Sequence, residues 1–342
     1  MVIDRRSVQR VGIRDVAAAA GVSPTTVSQA LNGARPVSQR TRQRVIAAAV
    51  ELGYAPDPSA RGLRMQRTGL IGLVGDRVVT TPYAGRMVLS AADALDAEGL
   101  ALVAVDSLGD PERELRLIAT LRQRKVEGIL FARMFHQLVP APPLAGTPVV
   151  VVNASTEAPG VPAIAPDEEA VATLAVEHLL SRQHRRIAFA QTVDVTPAST
   201  GREAGVRRAL AAAGISGEPV IERSASSAAG GRASGRALLD RGDRPSAVFC
   251  FNDEIAMGVY QSAAALGLRV PEDVSVVGVD DLLLVADALD PGLTTVALPH
   301  EEMGRWAAEQ LVARIADPDH PVERVTVTCR LVERGSVAPP PA

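Results

Sequence analysis

From Thr68 onward the sequence alternates short apolar runs with amphipathic stretches, and this alternation restricts the fold more than any other feature. The apolar runs lie at 70–74, 100–105, 128–131, 149–152, 187–190, 247–251 and 274–279. Helical periodicity occupies the intervals near 84–98, 111–124, 167–181, 201–213, 228–240, 253–266 and 300–316. Continuously apolar strands separated by helices predict parallel sheets covered on both faces. So many units favour two doubly wound α/β subdomains over a single sheet.

The charge is divided unevenly along a chain of 342 residues that is 47% hydrophobic and 22% charged. Such a composition allows a large buried core and excludes general disorder. Residues 1–67 hold 11 arginines against four acidic residues, a net charge of +7, whereas the remainder holds 25 basic and 35 acidic residues, a net charge of −10. A basic head on an acidic body is expected when one end of a protein meets phosphate groups.

Several functional classes lack their sequence signals. The charged N-terminus is unlike an export signal, and no apolar run approaches the roughly 18 residues of a membrane span, so we expect a cytoplasmic protein without a membrane partner. Cys250 and Cys329 stand alone and the histidines show no metal spacing, which predicts neither a disulfide nor a metal or cofactor. GxGxxG, GxSxG, HExxH and P-loop patterns are missing, so the sequence does not indicate an enzyme.

Three short helices are predicted in the basic head. The first covers 13–20 and ends at Gly21, a residue suited to the left-handed position that closes a helix. The second has Ser23 as N-cap and Pro24 at its first position, and it runs to 32. Ser38 caps the third, 39–52, whose apolar face is expected to consist of Val45, Ile46, Ala49, Val50 and Leu52.

The first two head helices predict a helix-turn-helix. Val16, Ala17, Val22, Val27 and Leu31 can pack inward, which leaves a small polar surface on the second helix: Pro24, Thr25, Thr26, Ser28, Gln29 and Asn32. A helix of this kind suits the major groove. Gln29 could pair with an adenine edge and Thr25 could touch a thymine methyl or a polar edge, while Ser28, Ser38, Thr41 and nearby arginines suit phosphates. The alternative is a plain bundle corner, and the basic surroundings favour DNA binding over it.

Over almost its whole length the chain resembles a LacI/GalR-type repressor. In the head the resemblance is carried by Asp15-Val16-Ala17, Ala20-Gly21-Val22-Ser23, Thr26-Val27-Ser28, Leu31-Asn32-Gly33, Val37-Ser38, Thr41-Arg42, Leu52-Gly53-Tyr54 and Pro56. Further along it is carried by Ile71-Gly72-Leu73-Val74, Asn252-Asp253, the 275–281 segment, Leu293-Thr294-Thr295-Val296 and Leu331-Val332-Glu333-Arg334. The resemblance implies a two-lobed, periplasmic-binding-protein-like core, a homodimer and a pseudo-palindromic operator.

The resemblance also implies a role for residues 57–64, which in similar proteins form a hinge helix on operator DNA. Leu63 matches the leucine that enters the minor groove at the dyad, and Ala60 packs beside it. The implied DNA-binding set is Ser23, Pro24, Thr25, Thr26, Ser28, Gln29, Asn32, Ser38, Thr41, Tyr54, Ala60 and Leu63. Gly62 disfavours a helix by about 1 kcal/mol relative to alanine, so the hinge should form poorly without DNA. An arginine-rich linker is the alternative.

Effector contacts are implied at residues that follow the strands, because ligands of open α/β sheets bind beyond the carboxyl ends. Matching to the family gives Asp76, Tyr83, Asn153, Arg202, Asn252, Asp253 and Asp280. Carboxylates, an amide and a guanidinium can bind vicinal hydroxyls, and an aromatic ring can cover a sugar face. Asp253 fits equally as a helix N-cap. Tyr83 and Arg202 would otherwise be surface or salt-bridge residues.

These interpretations divide the chain into a disordered arm at 1–10, a helix-turn-helix domain at 11–56, a hinge at 57–67, a core at 68–335 with crossovers near 164 and 291, and a flexible tail at 336–342. The expected function is a sequence-specific DNA-binding regulator, a repressor controlled by a sugar or sugar derivative. A sugar-binding receptor without a DNA role and an α/β sugar-processing enzyme are the alternatives.

Overall fold

The computed structural model describes residues 11–32, 37–54, 67–79, 81, 84–140 and 146–341, and of Asn32 only the backbone is described. The chain divides into two compact units, Met1–Gly69 and Leu70–Ala342. They are called the head and the core below.

The head contains helices α1 (Ile13–Ala20), α2 (Pro24–Asn32) and α3 (Gln39–Glu51). Gly21 closes α1 with a φ of 61°, and the Ser38 hydroxyl accepts a hydrogen bond from the Thr41 amide at the start of α3. A small apolar core forms between the helices, from Val16, Ala17, Ala20, Val27, Ala30, Val45, Ala48 and Ala49. The predicted order, ends and inward residues of the first two helices are confirmed.

The predicted apolar face of α3 is wrong in part. Ile46, Val50 and Leu52 are 45%, 76% and 36% exposed, and the buried face is formed by Val45, Ala48 and Ala49. Alanines fill this contact because the three short helices pack closely. The larger apolar side chains of α3 therefore lie outside the core of the head.

The first lobe of the core is built on a six-stranded sheet, counted among the described residues. All its paired strands are parallel. In sheet order the strands are β13 (Arg324–Val327), β7 (Ala163–Pro166), β5 (Val149–Val152), β3 (Gly128–Arg133), β1 (Leu70–Asp76) and β2 (Ala101–Asp106). A small separate pair, β4 (Leu138–Val139) and β6 (Ser155–Thr156), lies in the loops that follow β3 and β5.

The second lobe repeats the plan, again with six strands in the part of the chain that is described. Only the pairing of the last strand with its neighbour is antiparallel among the pairings of this sheet. In sheet order its strands are β14 (Arg330–Val332), β12 (Thr294–Ala297), β11 (Ser275–Val279), β10 (Ala247–Cys250), β8 (Ile187–Thr192) and β9 (Val220–Ser224). Two doubly wound subdomains are thus confirmed.

Helices cover these sheets where the periodicity predicts them. They are α4 (Gly85–Ala97), α5 (Pro111–Gln123), α6 (Glu168–Ser181), α7 (Pro197–Ala212), α8 (Ala228–Leu239), α9 (Asp253–Ala265), the short α10 (Leu283–Ala286) and α11 (His300–Ala316). Helix α7 begins four residues before the predicted start near 201, because Thr196 and Ser199 form a capping box ahead of it.

The chain crosses between the lobes three times rather than twice. The first crossing joins β7 to α6 near Asp167, close to the predicted position at 164. The second lies at 298–299, after β12, and not near 291, because α11 packs on the first lobe through Met303, Ala307 and Leu311. The third, between β13 and β14, was not predicted: the chain returns to the second lobe at 328–329.

The predicted flexible tail is also wrong at its beginning. Ser336 is fully buried, and its hydroxyl donates to the Val276 carbonyl (2.6 Å) and accepts from the Thr294 amide (2.8 Å). The Ala338 carbonyl lies 2.8 Å from Nε2 of the buried His184. Hydrogen bonds to the second lobe therefore fix residues 336–338.

Within the described ranges, no helix combines the length and the apolar character that a bilayer crossing requires.

Candidate functional site

The exposed side of α2 is the candidate DNA-reading surface. Ser23, Pro24 and Thr25 are exposed, whereas Val27 and Ala30 face the core of the head and hold the helix in place. Gln29 is half-buried and lies one turn after Thr25. The Ser23 hydroxyl accepts from the Thr26 amide (3.1 Å) and lies 2.9 Å from the Thr26 hydroxyl. Ser23 and Thr26 thus cap the helix, which leaves Thr25 and Gln29 as the side chains best placed to reach bases.

The start of α3 presents a second polar surface. The hydroxyls of Ser38 and Thr41 lie 2.8 Å apart, and Ser38 also caps the helix. Arg40, Arg42 and Arg44 are exposed on the same helix. These groups together can neutralise and bind phosphate oxygens.

The remaining predicted DNA contacts are less directly placed. Tyr54 is half-buried against the core of the head, and its amide donates to the Ala49 carbonyl. Ser28 is half-buried on α2. The Asn32 side chain and the whole of residues 55–66, with Ala60 and Leu63, lie outside the described residues, so their roles stay predictions.

The first lobe contributes two acceptor oxygens at the carboxyl ends of its strands. Asp76 is the last residue of β1 and Asn153 directly follows β5. The Asn153 amide nitrogen donates to the carbonyls of Arg133 (3.0 Å) and Met134 (2.9 Å), which fixes the side chain. Its Oδ1 is buried, as is Oδ1 of Asp76, and neither has a hydrogen-bond partner among the described residues. Buried unpaired acceptors are unfavourable unless a donor arrives, so this edge is suited to a ligand that donates hydrogen bonds.

The second lobe contributes Arg202, from the second turn of α7. Its side chain is almost fully buried, and its Nε donates to Oε2 of Glu168 at 2.8 Å. Its Nη1 donates to the Phe251 carbonyl, and the guanidinium lies 4.4 Å from the centre of the Phe251 ring. The prediction left open a salt-bridge role for Arg202, and the structure shows that salt bridge.

Glu168 and His136, which sequence analysis did not select, complete this cluster. Oε1 of Glu168 lies 3.6 Å from Nδ1 of His136, a first-lobe residue in the loop after β3. Burial alone would raise the pKa of Glu168, but Arg202 and His136 outweigh it and hold the pKa below its ordinary value. Both residues follow strands, so the rule that selected Asp76 and Asn153 could have found them.

Asn252, Asp253 and Asp280 lie at the carboxyl ends of β10 and β11. The cap of α9 is Asn252, not Asp253: its Oδ1 accepts from the Ile255 amide, and its amide donates to Ser226 (2.8 Å each). Asp253 is fully buried and accepts from the Leu282 amide (2.7 Å) and the Thr295 hydroxyl (2.6 Å). These bonds favour a positioning role for Asp253, and its contact with an effector stays a prediction.

The two neighbouring carboxyls have unusual proton affinities. Burial raises the pKa of Asp253 to about 7. Burial and the nearby Asp253 raise the pKa of Asp280 well above the ordinary carboxyl value. A protonated Asp280 can donate a hydrogen bond as well as accept one.

Tyr83, the aromatic residue predicted to cover a sugar, lies outside the described residues.

A metal centre is not indicated by the residues described, which contain no cluster of three His, Cys, Asp or Glu side chains arranged to hold an ion. Cys250 is buried and Cys329 half-buried. Burial raises the pKa of both thiols, that of Cys329 to about 12. The polar groups at the carboxyl ends of the two sheets, called the cleft below, offer hydrogen-bond donors and acceptors: Asp76, Asn153, Arg202, Asn252, Asp253 and Asp280.

Comparison with known proteins agrees with both parts of this description. Residues 12–57 match the family model of bacterial regulatory proteins, lacI family, and residues 176–337 match that of the periplasmic binding protein-like domain. The ribose operon repressor of Escherichia coli strain K12 is 34% identical over 334 residues, 95% of this chain and 99% of that protein. The transcriptional regulator DegA of Bacillus subtilis strain 168 is 35% identical over 85% of this chain and 88% of its own length.

Solved structures with the same fold include complexes with DNA and with sugars. The lac repressor dimer bound to operator and the anti-inducer ONPF superposes with a TM-score of 0.81 at 26% identity, covering 96% of this chain and all of that one. The complex of the transcriptional regulator CelR with cellobiose has a TM-score of 0.70 at 32% identity, again over 96% and 100% of the two chains.

Proposed function

Because this chain belongs to the LacI family of bacterial regulatory proteins, we propose that it is a homodimeric repressor whose operator affinity is set by a carbohydrate effector. It is a DNA-binding transcriptional regulator, and the family assignment rests on relatives that match nearly its full length. The observation that carries the effector proposal is the set of polar groups at the carboxyl ends of both sheets, which includes the unpaired acceptors of Asp76 and Asn153.

In the head, Thr25 and Gln29 read base edges, and the start of α3 binds phosphates. The side chains on α2 are short, so the helix can approach the floor of the major groove closely. Ser38, Thr41 and the exposed arginines of α3 then fix the register on the duplex without reading sequence. Leu63 is proposed to enter the minor groove between the paired hinges.

In the core, Asp76, Asn153, Arg202 and Asp280 are proposed to bind the hydroxyl groups of the effector. An effector changes operator affinity only by binding the two arrangements of the lobes with different affinities. Phe135 of the first lobe packs edge to face against Phe251 of the second lobe, with ring centres 6.0 Å apart. This contact joins the two lobes, so a ligand that moves one lobe also acts on the other. We propose no catalytic activity, and we propose the cytoplasm, where the operator lies, as the site of action.

The DNA proposal is tested with a duplex selected from a random library on the full-length protein. Gln29→Ala should weaken binding to that duplex by about tenfold or more, since a bidentate contact to a base contributes about 1–3 kcal/mol. Gln43→Ala is the matched control: Gln43 is an exposed glutamine on α3. Fluorescence anisotropy gives both affinities, and equal affinities for the two variants would contradict a reading role for α2.

The effector proposal is tested on the same complex. Ribose and cellobiose, which solved relatives contain, are titrated first, followed by other common sugars. A change in operator affinity with any of them supports the proposal. A protein whose operator affinity responds to no carbohydrate would contradict it.

A further inference from the structure

The guanidinium groups at the cleft are each held by a carboxylate of the core. Arg202 pairs with Glu168 at 2.8 Å, and Arg133, the last residue of β3, pairs through Nη2 with Oε2 of Glu114 at 2.9 Å. The four side chains are between 4% and 20% exposed, so both pairs are shielded from water. Each of the two arginines therefore has its charge compensated by a carboxylate before any ligand binds.

Two further arginines near the cleft also lie beside carboxylates. Arg86, at the start of α4, lies 3.7 Å from Glu301, and Arg334 lies 2.8 Å from Asp281. Arg77 directly follows Asp76 and is exposed. Its Nη2 group and Oδ1 of Asp76 both lie beside Gly109, each 3.5 Å from the place that a Cβ atom on this glycine would occupy.

Among the other ionisable groups of the cleft, His136 faces Oε1 of Glu168 at 3.6 Å, so that carboxylate lies against it as well as against Arg202. Asp76 and Asp280 are carboxyls, and burial and the nearby Arg86 lower the pKa of His300 to about 4, so its ring is neutral at pH 7. The undescribed core residues 80, 82–83 and 141–145 contain no Asp, Glu, Lys, Arg or His in the sequence. These residues therefore bring no charged side chain to the cleft.

We propose that the effector is an uncharged polyol, an unphosphorylated sugar without a carboxylate, and that Glu168 is the residue that enforces this choice. The proposal rests on the proposed function, because it concerns the same cleft. Glu168 compensates the charge of Arg202 through Nε, and the Nη2 group of Arg202 remains available to the hydroxyl groups of the effector.

The physical basis is the cost of burying a second anion. A phosphate or carboxylate near Arg202 would be desolvated and would also meet the charge of Glu168, which Arg202 already compensates. A neutral polyol escapes this repulsion and can donate its hydroxyl protons to the unpaired oxygens of Asp76 and Asn153. Converting Glu168 to a neutral amide should release the charge of Arg202 for an external anion.

The test uses the full chain, with inorganic phosphate as the probe and sodium chloride of equal ionic strength as the reference. Calorimetric titration should give Glu168→Gln an affinity for phosphate at least about tenfold above wild type, a difference of about 1.4 kcal/mol. Glu169→Gln is the matched control, because its carboxylate pairs with the half-exposed Arg208. It should bind phosphate as wild type does, and adding Arg202→Gln to Glu168→Gln should remove the gain.

Wild-type protein that binds phosphate as tightly as Glu168→Gln would overturn the proposal, and so would an equal gain in Glu169→Gln. A second measurement does not depend on the folding of a variant: ribose is compared with ribose 5-phosphate, and glucose with glucose 6-phosphate and gluconate, on wild type. No anionic member should bind more tightly than its neutral partner, and one that did would overturn the proposal. Operator binding by the same samples reports separately on the regulator assignment.

Discussion

The role of a single residue in the cleft depends on its hydrogen-bond partners more than on its residue type. Arg202 resembles a free ligand-binding cation in the sequence, but its Nε and Nη1 are already engaged by Glu168 and the Phe251 carbonyl. Asp253 resembles a ligand or a cap, but it joins α9 to the Leu282 amide and to Thr295. Asp253 therefore positions the groups around it, whereas Arg202 has its Nη2 group left for the proposed contact with the effector.

His300 should make the stability of the core depend on pH. Burial and the nearby Arg86 lower the pKa of His300 from 6.5 to about 4. Between these two pH values His300 is protonated in the unfolded chain and neutral in the folded chain. The stabilisation is complete above pH 6.5 and is lost as the pH falls through 4; a shift of this size corresponds to about 3 kcal/mol.

His300→Gln should therefore flatten the free energy of unfolding against pH between 6.5 and 4. Urea denaturation at half-unit pH steps measures both profiles, and the difference between variant and wild type isolates His300 from the other groups that titrate there. Identical slopes in the two proteins would contradict the expected role of His300.

At the scale of elements, periodicity made most helices predictable, and capping residues fix where many of them begin. Ser38, Asp110, Asp167, Thr196, Ser227 and Asn252 each accept a hydrogen bond from a backbone amide of the helix that follows. Seven strands were predicted from their continuous apolar runs, whereas the buried internal strands β7 (Ala163–Pro166) and β12 (Thr294–Ala297) were missed, because proline or threonine interrupts their short apolar runs. The edge strand β9 (Val220–Ser224) was missed, because its exposed and half-buried positions break the apolar run.

The C-terminal segment behaves as an element although it forms neither a helix nor a strand. Deleting residues 335–342 should lower the free energy of unfolding by several kcal/mol, because it removes the Ser336 hydroxyl from the Thr294 amide and the Val276 carbonyl and the Ala338 carbonyl from the His184 ring. Deleting only residues 339–342 should change it by less than about 0.5 kcal/mol.

Chemical denaturation of the two truncated chains measures this difference. The shorter deletion is the matched control, since it keeps Ser336 and Ala338. Equal stability of the two would show that the buried segment does not hold the second lobe together.

At the scale of the whole molecule, function is divided between a basic head and an acidic core. The head carries +7 and the remainder −10, so affinity for DNA should reside in the first 67 residues. Each phosphate neutralised changes the slope of log K against log salt by about −0.9, so operator affinity should fall steeply between about 50 and 200 mM salt.

A chain that lacks residues 1–67 should show no DNA binding at any of these salt concentrations. Anisotropy against the selected duplex measures both chains. DNA affinity that survived the deletion, or that ignored salt, would contradict the assignment of DNA binding to the head.

The sequence by itself determined the local structure: helix ends follow from capping residues, and buried strands from continuous apolar runs, because both depend on near neighbours in the chain. It also indicated the polar surface of α2 and, through the rule for open α/β sheets, the strand ends where the effector is proposed to bind. Tertiary structure alone decided which groups meet at that edge. Glu168 reaches Arg202 across 34 residues, and His184 reaches Ala338 across 154. Such contacts arise from the packing of distant segments, so no local pattern reveals that Arg202 is neutralised or that the C-terminal segment is buried.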